Sequence, residues 1–197
     1  MGAVNIYCRD DGVARIAINR PDKRNALNDE VRSTLIAELP GLLRDEAVHA
    51  LVLTGEGGHF CAGGDIGSMK GLDSRGARAR MKDNHTIVRL IAESEKPIVT
   101  AIEGFAVGAG AGLAMLGDTA VVAEGGTIGF PFFRVGLIPD YGILHTLPRR
   151  SGGAKARQLL LYAQMVKAPD AVRWGLADEL VPDGKAEETA IERALTL

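Results

Sequence analysis

Phe60-Cys61-Ala62-Gly63-Gly64-Asp65-Ile66 is answered about forty residues later by Gly104-Phe105-Ala106-Val107-Gly108-Ala109-Gly110-Ala111-Gly112. Each segment follows an apolar, strand-like run. Glycine and alanine let main chain come within hydrogen-bonding reach of a ligand, and glycine also adopts backbone angles that other residues resist. Two such turns side by side could aim two backbone N–H groups at one carbonyl oxygen, an oxyanion hole. They could also serve only close packing, and Gly108 to Gly112 could be read as a dinucleotide loop. Against the dinucleotide loop, the third glycine is not at the usual place and no clear acidic strand end follows.

Outward from these turns the chain alternates between strand and helix patterns. Ala50 to Thr54 and Ile98 to Ile102 read as buried strands leading into the two turns, and Thr119 to Ala123 as another. Val4 to Cys8 and Val13 to Asn19 flank Asp10-Asp11-Gly12 as a hairpin. Asn28 is a candidate N-cap for a helix to about Leu43 with an apolar stripe at Val31, Leu35, Leu39 and Leu42, which Pro40 would kink or end. Ser74 to Glu95 is an amphipathic helix, Ala109 to Leu116 a small-residue one. Gly152 to Tyr162, Pro169 to Gly175 and Lys185 to Leu197 read as further helices. The order predicts an α/β protein.

Four stretches in order carry a resemblance. Phe60 to Ile66 resembles the Phe-x-Ala-Gly-x-Asp-Ile signature of the enoyl-CoA hydratase/isomerase (crotonase) family. The second glycine-rich turn resembles that family's helix opening. Arg20-Pro21-Asp22-Lys23-Arg24-Asn25-Ala26-Leu27-Asn28 resembles its early coenzyme A motif, and Gly136-Leu137-Ile138-Pro139-Asp140-Tyr141-Gly142 with Leu147-Pro148-Arg149 its later catalytic turn. The similarity spans about Val4 to Pro182. It implies a crotonase-like spiral of stacked ββα units, with a core over residues 1–184 and residues 185–197 beginning a C-terminal helical region that is short or missing, since family members usually continue further. It also implies an acyl-CoA thioester as substrate, coenzyme A being part of that substrate and no separate cofactor, and a homo-oligomer, a trimer or hexamer.

The resemblance places the two oxyanion donors at Ala62 and Ala109, the latter at a helix N-terminus whose dipole favours negative charge. It gives coenzyme A contacts to Lys23, Arg24, Ala26, Ala62, Gly63, Gly64, Asp65, Ile66 and Ala109. Lys23 suits a phosphate as a flexible point charge, although an Asp-Lys-Arg turn can equally be solvated surface. The family's hydratases use two glutamates, and gap-free matching puts Gly112 and Phe132 at those positions. Neither can move a proton. The remaining acid is Asp140, in a Pro-Asp-x-Gly turn like that of family isomerases. If Phe130, Phe132, Phe133, Leu137 and Ile138 line its site, desolvation raises its pKa toward a useful range. The resemblance therefore implies a double-bond isomerase with Asp140 as acid/base. The alternatives are a hydratase or hydrolase using Tyr141 or His145, and a non-catalytic acyl-CoA binder in which Asp140 only caps a turn. The acyl group would be selected by a helix over Met69 to Asp83.

The remaining candidates are weaker. His59 and Cys61 lack a third group to orient a thiol nucleophile, and Cys61 reads as a small buried residue. Glu93 and Glu95 close a charged helix, while Glu103 could face the cleft. His49, His59, His85 and His145 have no metal-ligand spacing, so no metal is expected. A chain of 197 residues with 46% hydrophobic and 24% charged residues fits one globular domain. A formal charge of −2 provides no field for nucleic acid. No apolar run approaches the roughly 20 residues of a membrane span, and two cysteines without a signal-like segment suggest free thiols and a cytoplasmic location.

Overall fold

The computed structural model describes residues 2–197. The chain runs through β1 (Val4–Cys8), β2 (Val13–Ile18), α1 (Asp29–Arg44), β3 (Ala50–Gly55), α2 (Ser74–Ala92), β4 (Ile98–Ile102), β5 (Phe105–Val107), α3 (Ala109–Leu116), β6 (Thr119–Ala123) and β7 (Thr127–Gly129). It continues through α4 (Ile143–Ser151), α5 (Gly153–Leu161), β8 (Met165–Lys167), α6 (Ala168–Arg173), β9 (Glu179–Val181) and α7 (Ala186–Thr196). A six-stranded sheet has the order β1-β2-β3-β4-β6-β9, and a three-stranded sheet the order β5-β7-β8. Only β1–β2 is antiparallel in the large sheet, in the register Val4↔Ile18. The remaining pairs are parallel.

Parallel strands covered on both faces carry apolar residues at nearly every position. Leu51 and Leu53 of β3 face the main core, which α1, α2 and α3 cover; Ala50 and Val52 face the other side and meet α7. The stripe Ala186, Ala190 and Ala194 lets that last helix lie close to the sheet. The spiral is visible in the way each repeat feeds both sheets: β3 is followed by the turn holding Cys61, β4 by β5, and β6 by β7, with a helix after each pair. Isolated bridges Leu27↔Gly64 and Cys61↔Ala106 extend the small sheet through the first glycine-rich turn. This is the expected ββα spiral.

Local signals hold where they are strong. The Asn28 side chain accepts from the Val31 N–H at 3.0 Å, capping α1. Pro40 lies inside that helix without ending it, because Leu35, Leu39 and Leu42 remain packed in the core. No single helix spans Met69 to Asp83: a 3-10 turn occupies Ile66–Met69, and α2 covers the stretch only from Ser74, after Asp73, whose side chain caps it. Among the described residues no helix is long and apolar enough to cross a membrane.

Candidate active site

The two glycine-rich turns meet. Cys61 N–H donates to the Phe105 carbonyl at 2.8 Å, and Val107 N–H returns a bond to the Cys61 carbonyl at 2.9 Å. Gly63 has φ +100°, and a Cβ built there would lie 2.7 Å from the Val107 carbonyl and 3.6 Å from the Ala109 nitrogen. Gly110 is pressed against Cys61 in the same way, with 2.2 Å between its ideal Cβ and the Cys61 carbonyl. Only glycine permits this approach at either position.

The first expected donor needs correction. Ala62 N–H is already spent, donating to the Arg24 carbonyl at 2.9 Å. Gly63 N–H points to the Cys61 sulfur at 3.4 Å. Gly64 N–H, two residues after Ala62, finds no acceptor among the described residues. Leu27 uses the Gly63 carbonyl and the Asp65 N–H in a parallel bridge, which turns the peptide groups of Gly64 itself away from Leu27. Ala109 N–H, first in α3, also lacks a protein acceptor, as helix-opening amides do. Gly64 and Ala109 therefore present the two unpaired amides. The correction could not be read locally, because the carbonyl that occupies Ala62 comes from the distant Arg24 turn.

Both open onto one cavity of about 100 Å³ whose lining includes Ala62, Gly63, Gly64, Ala109, Phe132 and Asp140. Asp140 reaches it from the turn before α4. Its Oδ2 accepts from Asn84 Nδ2 at 3.1 Å, while its Oδ1 is buried without a partner. Burial pushes the Asp140 carboxyl above the usual range; its own backbone N–H, the Arg80 charge, the Asn84 hydrogen bond and the His85 charge pull less strongly the other way. The Tyr141 hydroxyl donates to Asn84 Oδ1 at 3.1 Å and is itself raised by burial. Asn84 thus bridges the two, and was missed because α2 is mostly charged. Its signal was its place on the buried stripe Asn84, Ile87 and Ile91.

The apolar surround of Asp140 is narrower than expected. Phe132 and Leu137 line the cavity, whereas Phe130 is buried away from it; Phe133 and Ile138 are exposed and do not line it. His145 is exposed on α4 and is not part of the lining. Glu103 does not face the cleft: its Oε1 accepts the Ala186 N–H at 3.1 Å and caps α7. Cys61 is fully buried, and burial pushes its thiol up to about 12, so it is no nucleophile.

Lys23 and Arg24 lie exposed in the turn before Asn25, with Arg24 in the left-handed conformation at φ 48°. Arg24 stacks its guanidinium over Phe105 at 5.5 Å from the ring centroid. Neither residue lines the cavity. Ala26 is partly buried, and its carbonyl accepts from Arg20 Nη1 at 2.6 Å. The same nitrogen bonds Asp65 Oδ2 at 3.0 Å, so Arg20 ties the early motif to the first glycine-rich turn. Asp65 is thereby a brace, its Oδ1 also accepting the Gly67 N–H. Ile66 is exposed but touches the cavity.

The profile of the enoyl-CoA hydratase/isomerase family matches residues 9–197. The chain belongs to that family. Among its relatives is the 1,2-epoxyphenylacetyl-CoA isomerase of Escherichia coli (strain K12), 35% identical over 190 residues, covering 94% of this chain and 72% of the relative. The crotonyl-CoA hydratase of Syntrophomonas wolfei is 36% identical over 174 residues, covering 88% and 67%. Among solved structures, the enoyl-CoA hydratase of Bacillus anthracis superposes with a TM-score of 0.93 at 28% identity, over 98% of this chain and 76% of that one. Pseudomonas aeruginosa DspI superposes at 0.94 with 27% identity, over 100% and 80%. This enoyl-CoA hydratase/isomerase family member thus has relatives named for both reactions.

Two outcomes follow from the site. Gly63→Ala forces the Val107 carbonyl, two residues before Ala109, away from the first turn, and a shift near 1 Å costs on the order of 10²-fold in rate. Measured on any ester that is turned over, kcat should fall by about that factor, and the melting temperature should fall with it because the alanine is strained at φ +100°; an unchanged kcat would mean that the spacing of the two amides is immaterial. Asn84→Leu removes a bond that favours the charged carboxylate. The acid limb of the kcat profile should then move to higher pH, because a base must be deprotonated to act, and a pH profile that stays in place would exclude the bridge as a positioning device.

Proposed function

We propose that this protein is an acyl-CoA isomerase that moves a double bond through a thioester enolate. The reading is carried by the placement of one carboxylate, Asp140, on the same cavity as the unpaired Gly64 and Ala109 amides. A thioester oxygen accepting from both amides draws electrons from the adjacent carbons. Asp140 removes a proton from one carbon, the electron pair moves through the double bond into the thioester, and the oxygen carries the negative charge. Collapse of the enolate takes the proton back at a different carbon, leaving the double bond displaced. Each preorganised donor contributes roughly 10² to 10³ in rate. A single group can serve both proton transfers, so the lack of a second acid is no obstacle. Asp140 Oδ1, buried and unpartnered, is the atom left free for the proton.

In this reading the exposed Lys23 and Arg24 meet the phosphates of coenzyme A, and main chain near Ala26, Asp65 and Ile66 holds its adenine and pantetheine parts. Support for isomerisation over hydration comes from Gly112. An ideal Cβ there would lie 2.5 Å from Tyr141 Cβ, so the place of a hydratase glutamate is filled. Phe132 is buried and apolar at the other.

The test offers 2-enoyl-, 3-enoyl- and dienoyl-CoA esters in deuterated water, followed by mass spectrometry and ultraviolet absorbance. Double-bond migration or deuterium incorporation without gain of water is the expected result. Addition of water would make the protein a hydratase, and binding without exchange would make it a non-catalytic binder.

A further inference from the structure

Two arginines share the cavity with Asp140, and the mechanism uses neither. Arg32 on α1 is almost fully buried, with Nη1 donating to the Leu27 carbonyl at 3.1 Å, Nη2 paired with Asp29, and Nε without a partner. Arg80 on α2 has an 11% exposed side chain. Its Nη1 donates to Ser68 Oγ at 2.9 Å and stands 4.0 Å from Asp29 Oδ1. That carboxylate is 85% exposed and already engaged by Arg32, so it neutralises Arg80 only weakly. Arg80 Nη2 bonds no acceptor among the described residues. It lies 3.2 Å from the ideal Cβ position of Gly64, beside one unpaired amide, and Asn84 follows one turn later on the same helix.

Arg80 therefore stands along the path from the oxyanion donors to Asp140, where an acyl chain would run. Burial first, and then repulsion from Arg32, press its guanidinium below its ordinary value. A plain hydrocarbon chain would deepen that desolvation and leave Nη2 without an acceptor. A carboxylate on the acyl group would supply the missing acceptor and a directly bonded counter-charge, which Asp29 and Asp140 do not give Nη2, in the planar geometry that guanidinium matches.

We propose that the acyl pocket selects a short acyl group bearing a carboxylate, held by Arg80. The inference rests on the acyl-CoA reading above. Saturated esters separate it from the chemistry, since they bind without turnover: glutaryl-CoA carries the carboxylate and pentanoyl-CoA is the hydrocarbon of equal chain length. By titration calorimetry the wild type should bind glutaryl-CoA roughly tenfold or more tightly than pentanoyl-CoA. Arg80→Met should erase that preference while leaving pentanoyl-CoA affinity in place, and Arg80→Lys should retain part of it, with thermal melts establishing that both variants fold. Equal affinity of the wild type for the two esters overturns the carboxylate inference alone. So does an equal loss for both in Arg80→Met, which would assign Arg80 to the thioester end. If neither ester binds the wild type, the inference and the acyl-CoA reading fall together.

Discussion

Asp140→Asn is expected to lower double-bond migration by about 10² to 10⁴, the usual contribution of a positioned acid–base group, while leaving ester affinity nearly unchanged. The amide keeps the shape of the carboxyl, and its oxygen can still accept from Asn84 Nδ2. The same substitution should stabilise the fold at neutral pH. Folding raises the Asp140 pKa, chiefly by burial, so the folded state is penalised whenever the group is ionised. That penalty is present above the raised folded value and fades as the pH falls into the ordinary carboxylate range near ~4. The uncharged amide never incurs it. A rise in melting temperature of ~2 °C or more at pH 7 should shrink toward zero as the pH is lowered. Unchanged turnover would remove Asp140 from the reaction, whatever the melting curves show.

Gly112→Glu should fail to create a hydratase, although it restores a carboxylate where the family's hydratases carry one. The ideal Cβ meets Tyr141 Cβ at 2.5 Å, the Tyr141 carbonyl at 2.7 Å and Ile143 Cγ1 at 3.3 Å. Tyr141 is held at φ 49° beside Gly142 at φ 75°, so the turn can yield only by carrying Asp140 with it. Overpacking of this kind costs roughly 1–3 kcal/mol, which corresponds to a fall in melting temperature of about 5 °C in a protein of this size. Loss of the proposed double-bond migration by about 10² or more should accompany it through the displaced Asp140. Water addition by a variant of unaltered stability would show that Tyr141 is not the barrier. Gly112→Ala should move both readouts in the same direction by a smaller amount.

Strong local patterns made five strands of the large sheet legible in the sequence, but not its sixth, β9, which has three residues. The apolar runs of β3, β4 and β6, the turn between β1 and β2 and the Asn28 cap all act over a few neighbouring residues. The small sheet was hidden because β5, β7 and β8 span three residues each, too few for a period to show. Helix α4 was masked by Pro148 within it. In the site, Asp140 could be picked out as the acid left in its turn, and Ala109 by its place at the opening of a helix. The shift from Ala62 to Gly64 depends on which amide a remote carbonyl consumes, which no local pattern records. Nothing local singled out Arg80 and Asn84 within the amphipathic stretch from Ser74 to Glu95. Their inward placement follows from the packing of α2 against α1, not from residue type.

The isolated bridges that knit Leu27, Gly64, Cys61 and Ala106 together have an evolutionary corollary. On the proposed reading, the electron sink is written in main-chain trajectory, while the proton-handling part is written in a few side chains on α2 and the turn before α4. Because the two parts are encoded separately, mutation can exchange the second without dismantling the first. If the two amides hold an enolate as proposed, a lineage carrying this fold can diversify its reactions over a persistent platform. Substitutions at the glycines that shape that platform, by contrast, should be purged whichever reaction is under selection.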